Sequence, residues 1–283
     1  MEIFFVTGKG GVGKSTVAAA YAHFQSLKGK KTLLVELGDQ SFYKDSFELT
    51  NVGYNPLQLQ ENLEISLWTG EECLKEYALH LIKVESLYRL FLENQVSKSL
   101  INIAPALPEL AILGKITSGP PRNVGPKMDY DCIVIDAYSS GHFVALLNAP
   151  KGMAEAVGFG PMGDQTRAIQ KIISDPQICQ YIVVSLPEEL PISEAIELSE
   201  KIESSIGIKP IHYMNRCLNL TFDETESEDS VPKNFRVHIQ KNIRRQNEML
   251  QKLKKNNIEA KVLPWVFQQK SWDIISRLSK EIH

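Results

Sequence analysis

The sequence predicts an α/β fold in which helices cover both faces of a parallel, doubly wound β-sheet. Short apolar segments of strand length recur along the chain, and segments with helical periodicity separate them. Strands that alternate with helices form βαβ units, which pair in parallel through right-handed crossovers. In addition, a hydrophobic content of 43% in 283 residues allows a large core. We therefore expect residues 1–283 to form a single α/β domain.

The first apolar segment, residues 3–6, predicts a buried strand and is followed by a glycine-rich loop. Residues 8–16 have the sequence GKGGVGKST, and a helix is expected from residue 15 to 27. A G-x-x-x-x-G-K-[ST] pattern between a strand and a helix is the context of a phosphate-binding P-loop. Glycines allow backbone N–H groups to point at a polyphosphate, and the helix N-terminus adds a positive field. We predict that this loop binds a nucleoside triphosphate through Gly8, Gly10, Gly11, Val12, Gly13, Lys14, Ser15 and Thr16. Lys14 would reach the β and γ phosphates, and Ser15 would bind Mg²⁺.

The loop contains a second lysine, Lys9, for which the sequence indicates no task within one subunit. The loop resembles the signature of the dimeric P-loop ATPases, a group that includes arsenite-pump ATPases, ATPases that target tail-anchored proteins, and the MinD and ParA proteins. In that group the additional lysine crosses to the nucleotide of the partner subunit. The resemblance therefore implies a homodimer with ATP between its subunits, and it implies catalytic roles for Lys9 and Lys14.

The second predicted strand, residues 31–36, leads to a departure from the resembled group. That group has an aspartate after this strand, which orients the attacking water. An ungapped alignment places Gly38 at that position and Asp39 one residue later, with Glu36 as the other nearby carboxylate. We predict Asp39 as a displaced water-positioning residue, and a simple turn residue is the alternative. A nucleotide-binding scaffold with little hydrolysis is therefore an open alternative to an efficient ATPase.

A helical insertion is expected at about residues 69–118, after a third strand at residues 63–68. Its helices are apolar on more than one face, so they are either deeply buried or available to an apolar partner. The resemblance implies a subdomain that holds a hydrophobic protein client. Packing of these helices on the sheet and on each other is the alternative, since burial is the usual fate of such residues.

A fourth predicted strand, residues 132–136, ends in the carboxylate of Asp136, which can hold the water shell of Mg²⁺. After a predicted turn at residues 138–140 come Gly141 and His142. The Asp-x-x-x-x-Gly-His pattern resembles the switch segment of the arsenite-pump and targeting ATPases. The resemblance implies that Gly141 donates its N–H to the γ-phosphate and that His142 couples the movement to the helical insertion.

The C-terminal third contains further predicted strands at residues 181–186, 210–216 and 260–264. The first of them leads into LPEELPISEA, a passage similar to one in the same family, in which Ser193 is expected to cap the next helix. The resemblance implies that the side-chain amide of Asn215 pairs with the adenine edge, because an amide supplies both a donor and an acceptor. It also places Pro264 and the Trp265 turn where the family closes over adenine.

Composition excludes several functional classes. The net charge of −3 gives no general attraction to nucleic acid, so no nucleic-acid partner is expected. The four cysteines are widely separated and form no C-x-x-C pair, which argues against arsenite binding, an iron–sulfur centre and a disulfide scaffold. Met1 leads directly into the first strand, and no apolar run approaches a membrane-spanning length, so we expect a cytoplasmic protein.

Two segments of the sequence keep binding to a membrane or to DNA as an alternative. Residues 234–255 are strongly basic and residues 272–282 are amphipathic, although a solvated outer helix face and packing on the sheet explain them better. Peripheral membrane contact is therefore one alternative. The sequence predicts a dimeric ATPase that uses ATP and Mg²⁺ as a conformational switch and resembles the arsenite-pump and tail-anchored-protein targeting branch. A MinD- or ParA-type positioning ATPase is the alternative function.

Overall fold

The computed structural model describes residues 1–82, 106–119, 122, 125, 128–156, 161–220 and 233–282. The strands in this part of the chain are β1 (Glu2–Gly8), β2 (Thr32–Leu37), β3 (Leu57–Gln60), β4 (Leu63–Trp68), β5 (Cys132–Ser139), β6 (Cys179–Ser185), β7 (Ile211–Cys217) and β8 (Ala260–Pro264). The helices are α1 (Lys14–Leu27), α2 (Phe42–Ser46), α3 (Gly70–Ile82), α4 (Leu107–Ile116), α5 (Ser140–Ala156), α6 (Pro161–Ile173), α7 (Glu189–Ile206), α8 (Lys233–Lys255) and α9 (Ser271–Ser279).

All eight strands form one sheet, in the order β3-β4-β2-β5-β1-β6-β7-β8. Every neighbouring pair is parallel except β3 and β4, which are antiparallel. The predicted parallel α/β fold is confirmed. The sequence did not predict β3, because its four residues are Leu-Gln-Leu-Gln and lie mostly exposed at the sheet edge, where an apolar run is not required.

The sheet is buried on both faces, which explains why its strands are almost continuously apolar. In β1, Ile3 and Phe5 belong to a core with residues of α3 to α7. Phe4 and Val6 point to the opposite face, where α1 and α9 cover the sheet. Because side chains alternate along a strand, this division fixes which strand-end residues lie on the α1 side.

The expected helical insertion at about residues 69–118 is described only at its two ends. Helices α3 and α4 contribute Cys73 and residues 110–113 to the core between the helices and the sheet. The middle of the expected insertion, residues 83–105, lies outside the described residues. Within the described ranges, no helix combines the length and the hydropathy needed to cross a membrane.

Candidate functional site

The glycine-rich loop lies between β1 and α1 at the carboxyl ends of the central strands. Gly13 precedes the first residue of α1 with φ of 89°, in the left-handed region that glycine tolerates. A Cβ atom at Gly13 would lie 2.5 Å from Nδ2 of Asn215. Gly10 and Gly11, in contrast, are exposed, and a Cβ atom at either position would meet nothing within 4 Å. One side of the loop is thus held by the protein, and the tip is open.

Lys14 begins α1 and is held over the loop. Its Nζ donates a hydrogen bond to the backbone carbonyl of Lys9 at 3.1 Å. Burial lowers the pKa of Lys14, and the nearby Asp136 carboxylate partly opposes this shift. A partly desolvated ammonium group at the start of a helix is a favourable environment for phosphate oxygens, because a bound anion would stabilise its charged form.

Lys9 has a partner within its own subunit, which the sequence did not predict. Its Nζ lies 2.6 Å from Oε1 of Glu194, a residue of α7, and about a third of each side chain is exposed. The expectation that Lys9 has no local task is therefore wrong for this structure. The role of Lys9 across a dimer interface stays a prediction.

Asp136 lies in β5, next to β1 and β2, on the face that α1 covers. It is 5% exposed, and the Ser15 side chain is hydrogen-bonded to it. Burial raises the pKa of Asp136 to about 6, and the neighbouring Glu36 carboxylate adds to this effect. Hydrogen bonds from Ser15 and Tyr43 and the charge of Lys14 oppose it. The prediction that Ser15 and Asp136 lie together is consistent with this geometry.

These residues fit a magnesium ion that keeps most of its ligands outside the protein. A hydroxyl and a buried carboxylate are hard oxygen donors, and the carboxylate lacks a full counter-charge. The described residues contain no group of three His, Cys, Asp or Glu side chains that could hold a metal ion by itself. Mg²⁺ bound through one or two protein oxygens, waters and phosphate oxygens does not need such a group.

Sequence reasoning missed Tyr43, which contacts both predicted magnesium ligands. Its hydroxyl lies 3.0 Å from Oδ2 of Asp136 and 2.8 Å from the carbonyl oxygen of Ser15. The side chain is completely buried. Burial, with the Asp136 and Glu36 charges, raises the pKa of Tyr43, so the hydroxyl stays protonated and donates. The signal in the sequence was the group of three aromatic residues Phe42, Tyr43 and Phe47 in an otherwise polar segment.

The segment after β2 is organised by Glu36. The carboxylate is 6% exposed and accepts hydrogen bonds from Oγ of Ser41 at 2.5 Å and from the backbone N–H of Phe42 at 2.6 Å. Burial raises the pKa of Glu36, and these hydrogen bonds oppose the shift. Glu36 thereby satisfies the N–H of the first residue of α2, while the Ser41 hydroxyl, at the N-cap, accepts from the N–H of Lys44. Asp39 lies exposed in the preceding loop, and its water-positioning role stays a prediction.

Strand β5 continues directly into α5, so the turn expected at residues 138–140 is absent. The strand ends at Ser139 and the helix begins at Ser140. Gly141 and His142 are exposed in the first turn of α5, and the His142 ring meets the Tyr138 ring edge-on at 5.9 Å. The hydroxyl of Thr7, in β1, donates to the carbonyl of Tyr138 at 2.9 Å. The γ-phosphate role of Gly141 stays a prediction.

Asn215, predicted to bind adenine, supports the P-loop. The side chain is 3% exposed, and its Nδ2 donates to the carbonyl of Val12 at 2.9 Å. Its Oδ1 accepts from the N–H of Arg216, which adopts a left-handed φ of 56°. An amide nitrogen has two hydrogens and its oxygen two lone pairs, so an adenine contact stays a prediction beside the loop contact.

Pro264 ends β8, and the chain leaves the sheet through the half-exposed Trp265. The N–H of Trp265 donates to the carbonyl of Cys217 at 2.8 Å. Beyond the ends of β6 to β8, a cleft of about 490 Å³ is lined by Leu186, Arg216, Arg245 and Trp265, among others. The side of the site where the adenine was expected is therefore concave.

The structure also places the four cysteines and Ser193, the residue predicted to cap the helix that follows it. All four cysteines are buried, free thiols, and they are divided among three core clusters. Ser193 does not cap α7, which begins four residues earlier at Glu189; its hydroxyl donates to the Glu189 carbonyl within the helix. Pro191 lies in the first turn, where a missing N–H costs nothing, so the helix starts before it.

The family described as "Anion-transporting ATPase" matches residues 1–162, which include the P-loop, Tyr43, Asp136 and Gly141. ATPase BagA of Mycobacterium tuberculosis is 28% identical over 209 residues, which cover 71% of this chain and 61% of that protein. A putative arsenical pump-driving ATPase of Halobacterium salinarum is 28% identical over 225 residues, covering 72% of this chain and 34% of that protein.

A third similar protein is ATPase ASNA1 homolog 1 of Paramecium tetraurelia, 27% identical over 161 residues, or 56% of this chain and 46% of that protein. In all three cases the chain spans less than two thirds of the length of its relative.

Proposed function

The chain belongs to the anion-transporting ATPase family, and from this premise we propose that it is a Mg²⁺-dependent ATPase whose nucleotide state controls a homodimer. The observation that supports this proposal best is the arrangement of Lys14, Ser15 and Asp136 around an open glycine loop. The carboxylate of Asp136 is almost fully buried, and an ionised carboxylate is costly to bury without a nearby cation. Such an arrangement is expected where the missing cation arrives with a nucleotide.

Each residue has a separate task in the proposed mechanism. The N–H groups of the loop and the Lys14 ammonium bind the β and γ phosphates and hold them in line for attack. Ser15 and Asp136 would hold Mg²⁺, which would supply neutralisation of the phosphate charge. Asp39 is the proposed positioning residue for the attacking water. Asn215 keeps the loop in its binding conformation through the Val12 carbonyl.

Lys9 is proposed to act across the dimer interface. In one subunit it pairs with Glu194, and reaching a partner's nucleotide would break this pair. Because about a third of each side chain is exposed, the pair contributes only about 0–1 kcal/mol. An interaction with phosphate in a closed interface would outweigh that amount. The proposed homodimer is therefore compatible with the local contact.

The two described ends of the expected insertion differ in how far their apolar residues are buried. In α4, residues 110–116 are all buried against the rest of the fold. In α3, by contrast, the apolar side chain of Leu79 is 38% exposed, so among the described residues of the insertion this helix is the place where a hydrophobic protein client could make contact. We propose the single domain of residues 1–283 with this insertion, and leave the client as a secondary proposal.

A membrane-positioning function receives little support from the C-terminal helix. The apolar residues Ile275, Leu278 and Ile282 are each 2% exposed and pack with residues of α1. The amphipathic face that suggested a peripheral membrane anchor is therefore already covered. A scaffold with little hydrolysis remains the stronger second candidate, because Gly38 occupies the usual aspartate position.

The proposal is tested by measuring ATP turnover and ATP-dependent dimerisation together. We expect wild type to hydrolyse ATP and dimerise, Lys14→Ala to lose both, and Lys9→Ala to lose dimerisation. Asp39→Ala should retain nucleotide binding and lose turnover. ATP binding by wild type without turnover above the Lys14→Ala control would identify a scaffold. Unchanged dimerisation in Lys9→Ala would contradict the cross-subunit role.

A further inference from the structure

Two structural observations concern Tyr43, a residue outside the P-loop and outside the switch segment of β5. Its hydroxyl is within hydrogen-bonding distance of the Asp136 carboxylate and of the Ser15 main chain. Its position in the sequence, in the short helix after β2, gives no indication of this contact. We propose that Tyr43 is a positioning residue that sets the orientation of Asp136 for magnesium, an inference that rests on the proposed function.

The two acceptors near the Tyr43 hydroxyl determine what this group can do. A hydroxyl has one proton and two lone pairs, so it can donate to one acceptor, or share its proton between two. Here both neighbours are acceptors, at 3.0 Å for Oδ2 of Asp136 and 2.8 Å for the Ser15 carbonyl. A hydrogen bond to a charged group is the stronger one, and it restricts rotation of the carboxylate. Because the Tyr43 hydroxyl also contacts the carbonyl of Ser15, in the first turn of α1, it links both predicted magnesium ligands.

The aromatic ring of Tyr43 is fixed independently of its hydroxyl. It stacks on Phe47 at a centroid distance of 5.5 Å and meets Phe42 edge-on at 5.4 Å. Tyr43 and Phe42 lie in α2, whose N-cap is Ser41, and the buried Glu36 carboxylate accepts a hydrogen bond from the N–H of Phe42. The ring would therefore stay in place if only the hydroxyl were removed.

The neighbouring Glu36 carboxylate explains why Asp136 needs the Tyr43 hydroxyl as a donor in addition to Ser15. In the parallel register, Glu36 lies beside Asp136, so two buried carboxylates face the α1 side together. Two like charges at this spacing repel one another, and each is stabilised by its own donors. Ser41 and Phe42 donate hydrogen bonds to Glu36, whereas Tyr43 and Ser15 donate to Asp136. The segment after β2 thus connects to the magnesium ligands through Tyr43.

The test is Tyr43→Phe, which deletes only the hydroxyl. Binding of a fluorescent ATP analogue is measured while MgCl₂ is titrated, and again in EDTA. Removing a hydrogen-bond partner of a metal ligand typically lowers metal affinity by 10–100-fold. We expect Tyr43→Phe to need about tenfold more Mg²⁺ for half-maximal stimulation of binding, the low end of that range, with unchanged binding in EDTA.

Two control variants separate this effect from packing. Tyr181→Phe removes an equally buried hydroxyl, which donates to the Ile173 carbonyl at 2.6 Å on the opposite face of the sheet. Phe47→Leu disturbs the ring stack and leaves the Tyr43 hydroxyl intact. Both should keep the wild-type Mg²⁺ requirement. A requirement in Tyr43→Phe within twofold of wild type, or an equal increase in Phe47→Leu, would overturn the inference.

A measurement on wild type covers the case in which Tyr43→Phe does not fold. Hydrogen exchange of residues 42–47 is compared with ATP in EDTA and with Mg-ATP. We expect slower exchange only when magnesium is present, because Asp136 then holds Tyr43 more firmly. Equal exchange in the two conditions overturns the inference. If wild type shows no magnesium-stimulated nucleotide binding at all, the proposed function fails as well, which is a distinct outcome.

Discussion

Replacing Asn215 by alanine removes the donor that holds the P-loop at the carbonyl of Val12. In the structure this hydrogen bond is 2.9 Å long and joins residues far apart in the sequence. Val12 is 1% exposed and Asn215 3%, so water cannot replace the lost donor. The Asn215 amide also packs against Gly13, where a Cβ atom would lie 2.5 Å from Nδ2. We therefore expect the substitution to loosen the loop next to Gly13, the N-cap of α1.

The cost follows from the burial of both partners. A typical hydrogen bond contributes about 1 kcal/mol, and a buried acceptor left without a donor costs about 1–3 kcal/mol. We expect Asn215→Ala to lower the free energy of unfolding by about 2–3 kcal/mol. If about half of this cost falls on the loop conformation that binds phosphate, affinity falls about tenfold, since 1.4 kcal/mol is a factor of ten.

The assay distinguishes support of the loop from recognition of adenine. Binding of ATP and of inorganic triphosphate is measured for wild type and Asn215→Ala. Because triphosphate has no base, a loop-supporting Asn215 predicts a similar loss for both ligands. Asn148→Ala is the control, since it removes an amide that donates to a carbonyl at 3.0 Å within α5, outside the site. Wild-type triphosphate affinity in Asn215→Ala, with ATP binding lost, would refute the loop-supporting role.

Three further predictions concern stability and the loop. Gly13→Ala should cost about 2 kcal/mol of unfolding free energy, because its φ of 89° is left-handed and its Cβ would meet Asn215; Gly10→Ala, with open space around it, should stay within about 0.5 kcal/mol of wild type in urea denaturation. Burial lowers the pKa of His212 to about 4, below the ordinary 6.5, so the folded state binds the second ring proton less readily than the unfolded state does. The stability that depends on the neutral ring is therefore fully present above about pH 6.5, and about 3 kcal/mol of it is lost as the pH falls to about 4. In His212→Gln, the urea midpoint should change less with pH over this range. Glu194→Gln weakens an ion pair whose side chains are about one-third exposed, so it should change the free energy of unfolding, measured by urea denaturation, by less than about 1 kcal/mol. Lys9 stays available for a contact across a dimer interface in this variant.

Local patterns predicted the parts of the site that are local in sequence. The glycine spacing and its strand–helix context predicted the P-loop from nine consecutive residues. Asp136 was predicted because an apolar strand ends in a carboxylate, and the parallel sheet brings that strand beside β1. The positions of these residues follow from the backbone conformation and the alternation of side chains, whereas their binding roles stay predictions.

Contacts between distant segments were not predictable in the same way. Tyr43 lies 93 residues from Asp136, and α2, with five residues, is too short to give a helical period. The loop-supporting role of Asn215 depends on a partner 203 residues away. The turn expected after Asp136 is absent because β5 continues to Ser139 and α5 starts at once. In each case tertiary packing, rather than the local sequence, selects the conformation.

Isothermal titration calorimetry of the whole chain with Mg-ATP tests the central claim most directly. A site formed by the glycine loop, Lys14 and Asp136 predicts saturable heat for wild type and none for Lys14→Ala, with both proteins folded. It also predicts a higher unfolding temperature of wild type with Mg-ATP, since a ligand that binds only the native state stabilises it. Neither heat nor a thermal shift in wild type would contradict nucleotide binding at this site.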